Sequence, residues 1–125
     1  MTTTYSPAEA ADRSGFSLDT LRYYEREGIL APVSRTAGGH RAYTEGDLDW
    51  LGLVRCLRDT GMPIAQLKRY SELAVDASTM DERLALLEDH AREVQASVDA
   101  LLAQQHRLRE KIAWYRRQGA SSRPS

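Results

Sequence analysis

Ser17-Leu18-Asp19-Thr20-Leu21-Arg22-Tyr23-Tyr24-Glu25-Arg26-Glu27-Gly28 is the stretch on which the fold turns. Ser17 is a helix N-cap residue and Gly28 a helix stop, so the run predicts a short helix through Leu21 to Glu27. Just before it, Ser6-Pro7-Ala8-Glu9 combines an N-cap, a proline at the first helical position and a glutamate able to reach back. A first short helix should therefore precede the other and end at Ser14-Gly15. Two short helices joined by a tight glycine turn outline a helix-turn-helix. Ala11 is small where the helices should cross, Gly15 falls in the turn, and Leu21 should plug the core between them.

With Leu18 and Leu21 turned inward, Asp19, Thr20, Arg22, Tyr23 and Arg26 fall on or near the outward side of the second helix. An arginine can bond bidentately to a guanine edge or pair with phosphate, and a tyrosine hydroxyl can donate to phosphate. Taken alone, the same face equally suits a solvated surface in which Arg22 and Arg26 pair with Glu25 or Glu27. The next segment breaks the tie. No acidic residue lies between Glu27 and Glu45, whereas Arg35, His40 and Arg41 do, with Gly38-Gly39 placed for a hairpin turn. A basic hairpin directly after a helix-turn-helix makes a winged helix-turn-helix, whose wing reaches phosphates beside the groove. His40 reads as a phosphate or solvent contact, since no second His or Cys nearby completes a metal site.

Residues 45–59 predict a third helix with an apolar face that includes Leu48, Leu51, Val54 and Leu57, and with Trp50 as an anchor. Gly61 ends it, and Pro63 restarts a fourth helix through Ile64, Leu67 and Leu73. This second pair presents Arg55, Arg58, Lys68 and Arg69, either as further phosphate contacts or as a solvated face. Composition bounds the whole. The chain has 125 residues and 17 Lys+Arg against 18 Asp+Glu, a formal charge of −1, so any cationic surface is local. No stretch is long and apolar enough for a membrane span, and the first 15 residues lack a signal peptide's apolar core. A cytoplasmic location without membrane attachment is the expectation. No grouping of nucleophile, base and orienting residue, and no phosphate-cradling glycine loop, suggests an enzyme. No cofactor and no metal site is expected.

All but one of the 8 glycines and all but one of the 4 prolines lie in residues 1–76, whereas residues 80–118 contain neither. The later stretch predicts one long helix, started by a capping box of Thr79 and Glu82. With Leu84 as heptad position a, the a/d series is Leu84, Leu87, Ala91, Val94, Val98, Leu101, Gln105, Leu108, Ile112 and Tyr115. Such a seam, about 48 Å long at 1.5 Å per residue, predicts a coiled coil between two copies. Packing back onto residues 1–76 is the alternative, and so small a domain can hardly cover it. Gln105, the one polar seam residue, is placed to fix register. The expected organisation is a mainly α chain: a winged helix-turn-helix domain with a second helical pair (1–76), a dimerisation helix (77–118) and a flexible tail (119–125).

Tyr5-Ser6-Pro7, Thr20-Leu21-Arg22-Tyr23-Tyr24-Glu25, Gly28-Ile29-Leu30 and Gly39-His40-Arg41-Ala42-Tyr43, in that order ahead of a long helix, resemble the MerR family of bacterial transcriptional regulators across residues 4–118. The resemblance implies a homodimer joined by an antiparallel coiled coil, with each winged domain in a major groove of a pseudo-palindromic operator. It implies double-stranded promoter DNA with an overlong spacer, bent and untwisted so that RNA polymerase can engage both of its recognition elements. The DNA-contact set that follows is Ser17, Thr20, Arg22, Tyr23 and Tyr24 from the helix, Arg35, His40, Arg41 and Tyr43 from the wing, and Lys68 from the fourth helix. Tyr24 either touches the backbone or packs inside.

The effector is read from cysteine usage. Metal-sensing members of the family carry cysteines where this chain has Ala77, Ser78 and Thr79, and the one cysteine, Cys56, also rules out an iron–sulfur cluster. A separate carboxy-terminal ligand domain is not expected after residue 118. Cys56-Leu57-Arg58-Asp59-Thr60-Gly61-Met62 resembles the subgroup that responds to aldehydes and other small electrophiles through one cysteine of the third helix. Arg55 and Arg58 would then favour its thiolate. The competing reading is a buried cysteine acting as a small hydrophobe. Two other functions stay open on the residues alone: an effector-independent architectural DNA-binding protein, and an interaction module whose coiled coil is the working surface.

Overall fold

Ser6 starts the first helix as its side chain dictates. Its hydroxyl accepts the Glu9 N–H at 3.2 Å while the Glu9 carboxylate accepts the Ser6 N–H at 3.0 Å, so two orphan donors are satisfied at once. In the computed structural model, which describes residues 3–122, the order is β1 (Thr4–Tyr5), α1 (Pro7–Ser14), α2 (Leu18–Arg26), β2 (Ser34–Arg35), β3 (Arg41–Thr44), α3 (Glu45–Asp59), α4 (Ile64–Ala74), a 3-10 turn (Ala77–Thr79) and α5 (Met80–Ser122). Ser17 caps α2 by accepting the Thr20 N–H at 3.1 Å. Thr44 and Asp47 form a second reciprocal box at the head of α3. The fold is a winged helix-turn-helix followed by a helical pair and one long helix.

The three strands form a small antiparallel sheet in the order β1-β3-β2, with Tyr5 opposite Tyr43 and Arg35 opposite Arg41. Thr36 N–H donates to the His40 carbonyl at 2.7 Å and closes the wing turn. Gly39 takes φ +81° there, a value that L side chains rarely adopt. Strand β1 was not legible in the sequence: two residues are too few to show alternation.

One core unites α1 to α4. Leu21, Ile29, Leu30, Tyr43, Leu51 and Val54 are fully buried in it. Trp50 stacks on Tyr70 with ring centroids 5.4 Å apart and donates Nε1–H to the Ile29 carbonyl at 2.7 Å. The Ser71 hydroxyl lies 3.1 Å from that same carbonyl, so α3 and α4 both fasten to the loop leaving α2. Ala11 packs partly buried against the core, next to the fully buried Ala10, whereas Leu18, expected to turn inward, is 38% exposed at the first position of α2.

Among the described residues, the chain divides into two compact units after Leu87, later than the residue-76 boundary expected. The start of α5 belongs to the first unit, where Leu86 and Leu87 pack against its core. Leu87 is therefore partly committed to its own domain. The capping box of Thr79 and Glu82 does not form. Asp76 caps the 3-10 turn by accepting from Ser78 N–H at 2.9 Å, and the Thr79 hydroxyl turns back to the Leu73 carbonyl. Helix α5 continues through Ser122, so the tail expected from Gly119 is helical at its start, and residues 123–125 lie outside the described residues. The second unit is α5 alone, and its seam is bare: Leu101 is 70% and Leu108 65% exposed.

Gly15 closes α1 with φ +78°, and a Cβ there would lie 1.4 Å from Nη1 of Arg55, which bonds the Ser14 carbonyl at 3.1 Å. Gly15→Ala should therefore lower stability by about 1–2 kcal/mol through backbone conformation alone. Urea unfolding measures this, and a loss under about 0.5 kcal/mol, the range of an ordinary surface change, would contradict it.

Candidate nucleic-acid interface

The outward side of α2 presents Arg22 and Tyr23, both exposed. Arg22 lies 3.9 Å from Asp19 with over half of its side chain in solvent. An exposed pair at helical spacing is worth about 0.2–0.5 kcal/mol, too little to hold the guanidinium away from a stronger anion. Arg26 sits 5.9 Å from the Tyr23 ring centroid and continues the cationic edge. Thr20 and Ser17 are joined hydroxyl to hydroxyl at 2.8 Å, so their first duty is to cap the helix.

Glu25 sets the angle between this helix and the wing. Its carboxylate accepts the Val33 N–H at 2.7 Å and Nε of Arg41 at 2.9 Å. Partial burial pushes the carboxyl upward, but the Val33 and Arg41 bonds and the charges of Arg41 and Arg35 outweigh it, and the net shift is below the ordinary carboxylate value. Arg41 thus spends its Nε as a strut under the wing. Arg35 donates to the Gly39 carbonyl at 2.9 Å across the hairpin, and His40 stands exposed beside it. Arg22 and Arg26 on α2 and Arg35 and His40 on the wing are all exposed to solvent.

Two residues of the expected set are buried instead. Tyr43 is 2% exposed and Tyr24 is 4% exposed, with the Tyr24 ring edge-on to Phe16 at 5.2 Å. Both are core residues: β3 points Tyr43 inward, and the inner side of α2 carries Tyr24. Lys68 is held 2.6 Å from Glu27, which raises its pKa, so it bridges α4 to the end of α2. Glu25 itself was missed. Two acids, Glu25 and Glu27, just before an acid-free basic stretch were the available signal.

Cys56 is exposed on α3, which removes the buried-hydrophobe reading of that residue. The two arginines expected to favour its thiolate are bonded elsewhere. Arg58 makes two bonds to Asp59 and lies over the Phe16 ring, while Arg55 bonds Asp59 and the Ser14 carbonyl. Among the described residues, no three His, Cys, Asp or Glu side chains gather as metal ligands would.

A short helix pair with its second member outward, braced against a basic hairpin, defines a helix-turn-helix reading head. The family model described as MerR HTH family regulatory protein matches residues 5–73. A Haemophilus influenzae protein named an uncharacterized HTH-type transcriptional regulator is 38% identical over 115 residues, which is 91% of this chain and 85% of that one. The regulator AdhR of Bacillus subtilis is 37% identical over 83 residues, 66% of this chain and 59% of AdhR. In structure the chain is similar to HiNmlR, a MerR family regulator lacking the sensor domain, there bound to promoter DNA, with TM-score 0.85, 38% identity and 94% of each chain covered. The chain belongs to the MerR family of helix-turn-helix regulatory proteins and is a transcriptional regulator of that type.

Glu25→Gln should cost about 1.5 kcal/mol at neutral pH, the scale of a hydrogen bond to a charged group. Because the folded carboxyl titrates below its ordinary value of 4.5, its contribution is complete above that pH and disappears as acid carries the protein through the folded value. Urea melts at neutral and at acid pH should show parent and variant converging in acid. A pH-independent gap would rule out the ion pair as its source.

Proposed function

We propose that this chain binds promoter DNA as a homodimer, inserts α2 into the major groove and lays the wing along the flanking phosphates. The carrying observation is the Glu25 bridge, which ties α2, with its exposed Arg22, to the acid-free basic wing although the whole chain carries a charge of −1. Phosphate contacts supply affinity and base-edge contacts supply sequence choice. The bare apolar seam of α5 supports the dimer, because a soluble chain gains by covering a stripe that includes Leu101, Leu108 and Ile112. Two heads on an antiparallel coiled coil then grip a pseudo-palindrome. Holding it bent costs on the order of 1–6 kcal/mol, offset by phosphate contacts, and the bend aligns the promoter elements for RNA polymerase. The setting is the cytoplasm; among the described residues no helix is long and apolar enough to cross a membrane.

The effector in this reading is a small electrophile that modifies Cys56. Exposure of the thiol on α3 supports it. One thiol per chain permits alkylation, nitrosylation or a mixed disulfide, and no internal disulfide.

Binding is tested by fluorescence anisotropy on a duplex selected from a random pool by the parent protein. Arg22→Ala should weaken binding about tenfold or more, as loss of one base or phosphate contact does, and Arg35→Ala should reduce the salt slope by about one unit. Unchanged affinity and slope in both variants would leave the helical rod, rather than the head, as the working surface. In a promoter-reporter assay, Cys56→Ser should lose the response to formaldehyde or methylglyoxal. A response equal to the parent's would remove the thiol from the mechanism.

A further inference from the structure

The charges along α5 are sorted by position. Between Met80 and Asp99 the acids are Asp81, Glu82, Glu88, Asp89, Glu93 and Asp99 against two arginines. Beyond Asp99 the one acid, Glu110, faces Arg107, Arg109, Lys111, Arg116 and Arg117. On the heptad that makes Leu84 position a, the charged e positions are Asp81 and Glu88 in the acidic half and Arg109 and Arg116 in the basic half. All four are exposed, and the structure shows no ion pair or hydrogen bond for any of them. On the side away from the seam, Arg92 pairs with Asp89, and the His106 ring lies 2.7 Å from the Glu110 carboxylate.

An antiparallel pair that covers the whole seam sets Leu84 opposite Tyr115 and Val98 opposite Leu101, with small Ala91 against Leu108. In antiparallel coiled coils the e positions of one helix flank the seam beside the e positions of the other. Glu88 then meets Arg109, and Asp81 meets Arg116, twice each by symmetry. Neither competing arrangement matches this. A parallel pair brings g to e: it sets Arg83 against Glu88, one favourable contact, and Lys111 against Arg116, like charge on like, whereas the antiparallel pair has two kinds of favourable contact. A one-heptad slip of the antiparallel pair keeps one kind of ion pair and strips two seam residues of each helix of their cover. We propose that Glu88 and Arg109, seconded by Asp81 and Arg116, are the residues that fix the register of the dimer and select a second copy of this same chain as the partner. The inference rests on the dimer of the preceding section and goes beyond it, to the code that decides which helices join and how.

The test uses charge reversal in the full chain, read by sedimentation equilibrium at low ionic strength, with circular dichroism to verify helix content. Glu88→Arg and Arg109→Glu, each alone, place like charges together and should raise the dimer dissociation constant about tenfold. Mixing these two variants restores both contacts between unlike chains, so the mixture should associate nearly as tightly as the parent. The double variant should do so by itself. High salt should shrink all of these differences. A parent that is a dimer while either single variant associates equally well, or a mixture that gains nothing, overturns the register and leaves the dimer standing. A parent that sediments as one chain overturns both.

Discussion

One carboxylate holds the reading head in shape. Glu25 leaves the last turn of α2 and receives two donors, the Val33 N–H and the Arg41 guanidinium, that belong to the next two segments of chain. Without it, a nine-residue helix and a hairpin tipped with glycine would share little beyond the core beneath them. A charged group at a partly buried position is costly to leave unpaired, so the three partners settle in one geometry. That geometry spends one arginine on the scaffold, and the cations left for a ligand are those with weak ties or none within the helix, Arg22 above all.

Much of this was legible in the chain. Caps are local chemistry, and Ser6, Ser17, Gly15 and Gly28 mark helix ends through their own side chains or lack of one. The wing showed itself by an absence of acids around paired glycines. The failures came from position relative to the core, which a motif does not contain. Tyr24 and Tyr43 belong to the run that carries the family resemblance, yet they serve it from inside. Leu18 looked apolar enough to be buried, and its place at the first turn keeps it at the surface. Thr79 had the right partner three residues on, but it closes a 3-10 turn and its hydroxyl donates to the Leu73 and Asp76 carbonyls.

The long helix offers a second contrast. Its seam follows a strict repeat, and periodicity of that kind is the most dependable signal a sequence carries. One seam residue is nonetheless claimed in part by the head: Leu87, together with Leu86 beside the seam, packs against its core, whereas Leu84 is 54% exposed. The remaining seam residues have no such outlet within their own unit. Leu87, where the compact units divide, is thus the seam residue that the core also uses.

The Ile29 carbonyl, bonded by Trp50 and approached by Ser71, has a mechanical meaning. It is a rivet through three plates, tying the loop that leaves α2 to both α3 and α4. In the proposed complex, a head fastened in this way leaves the strain of binding to the duplex.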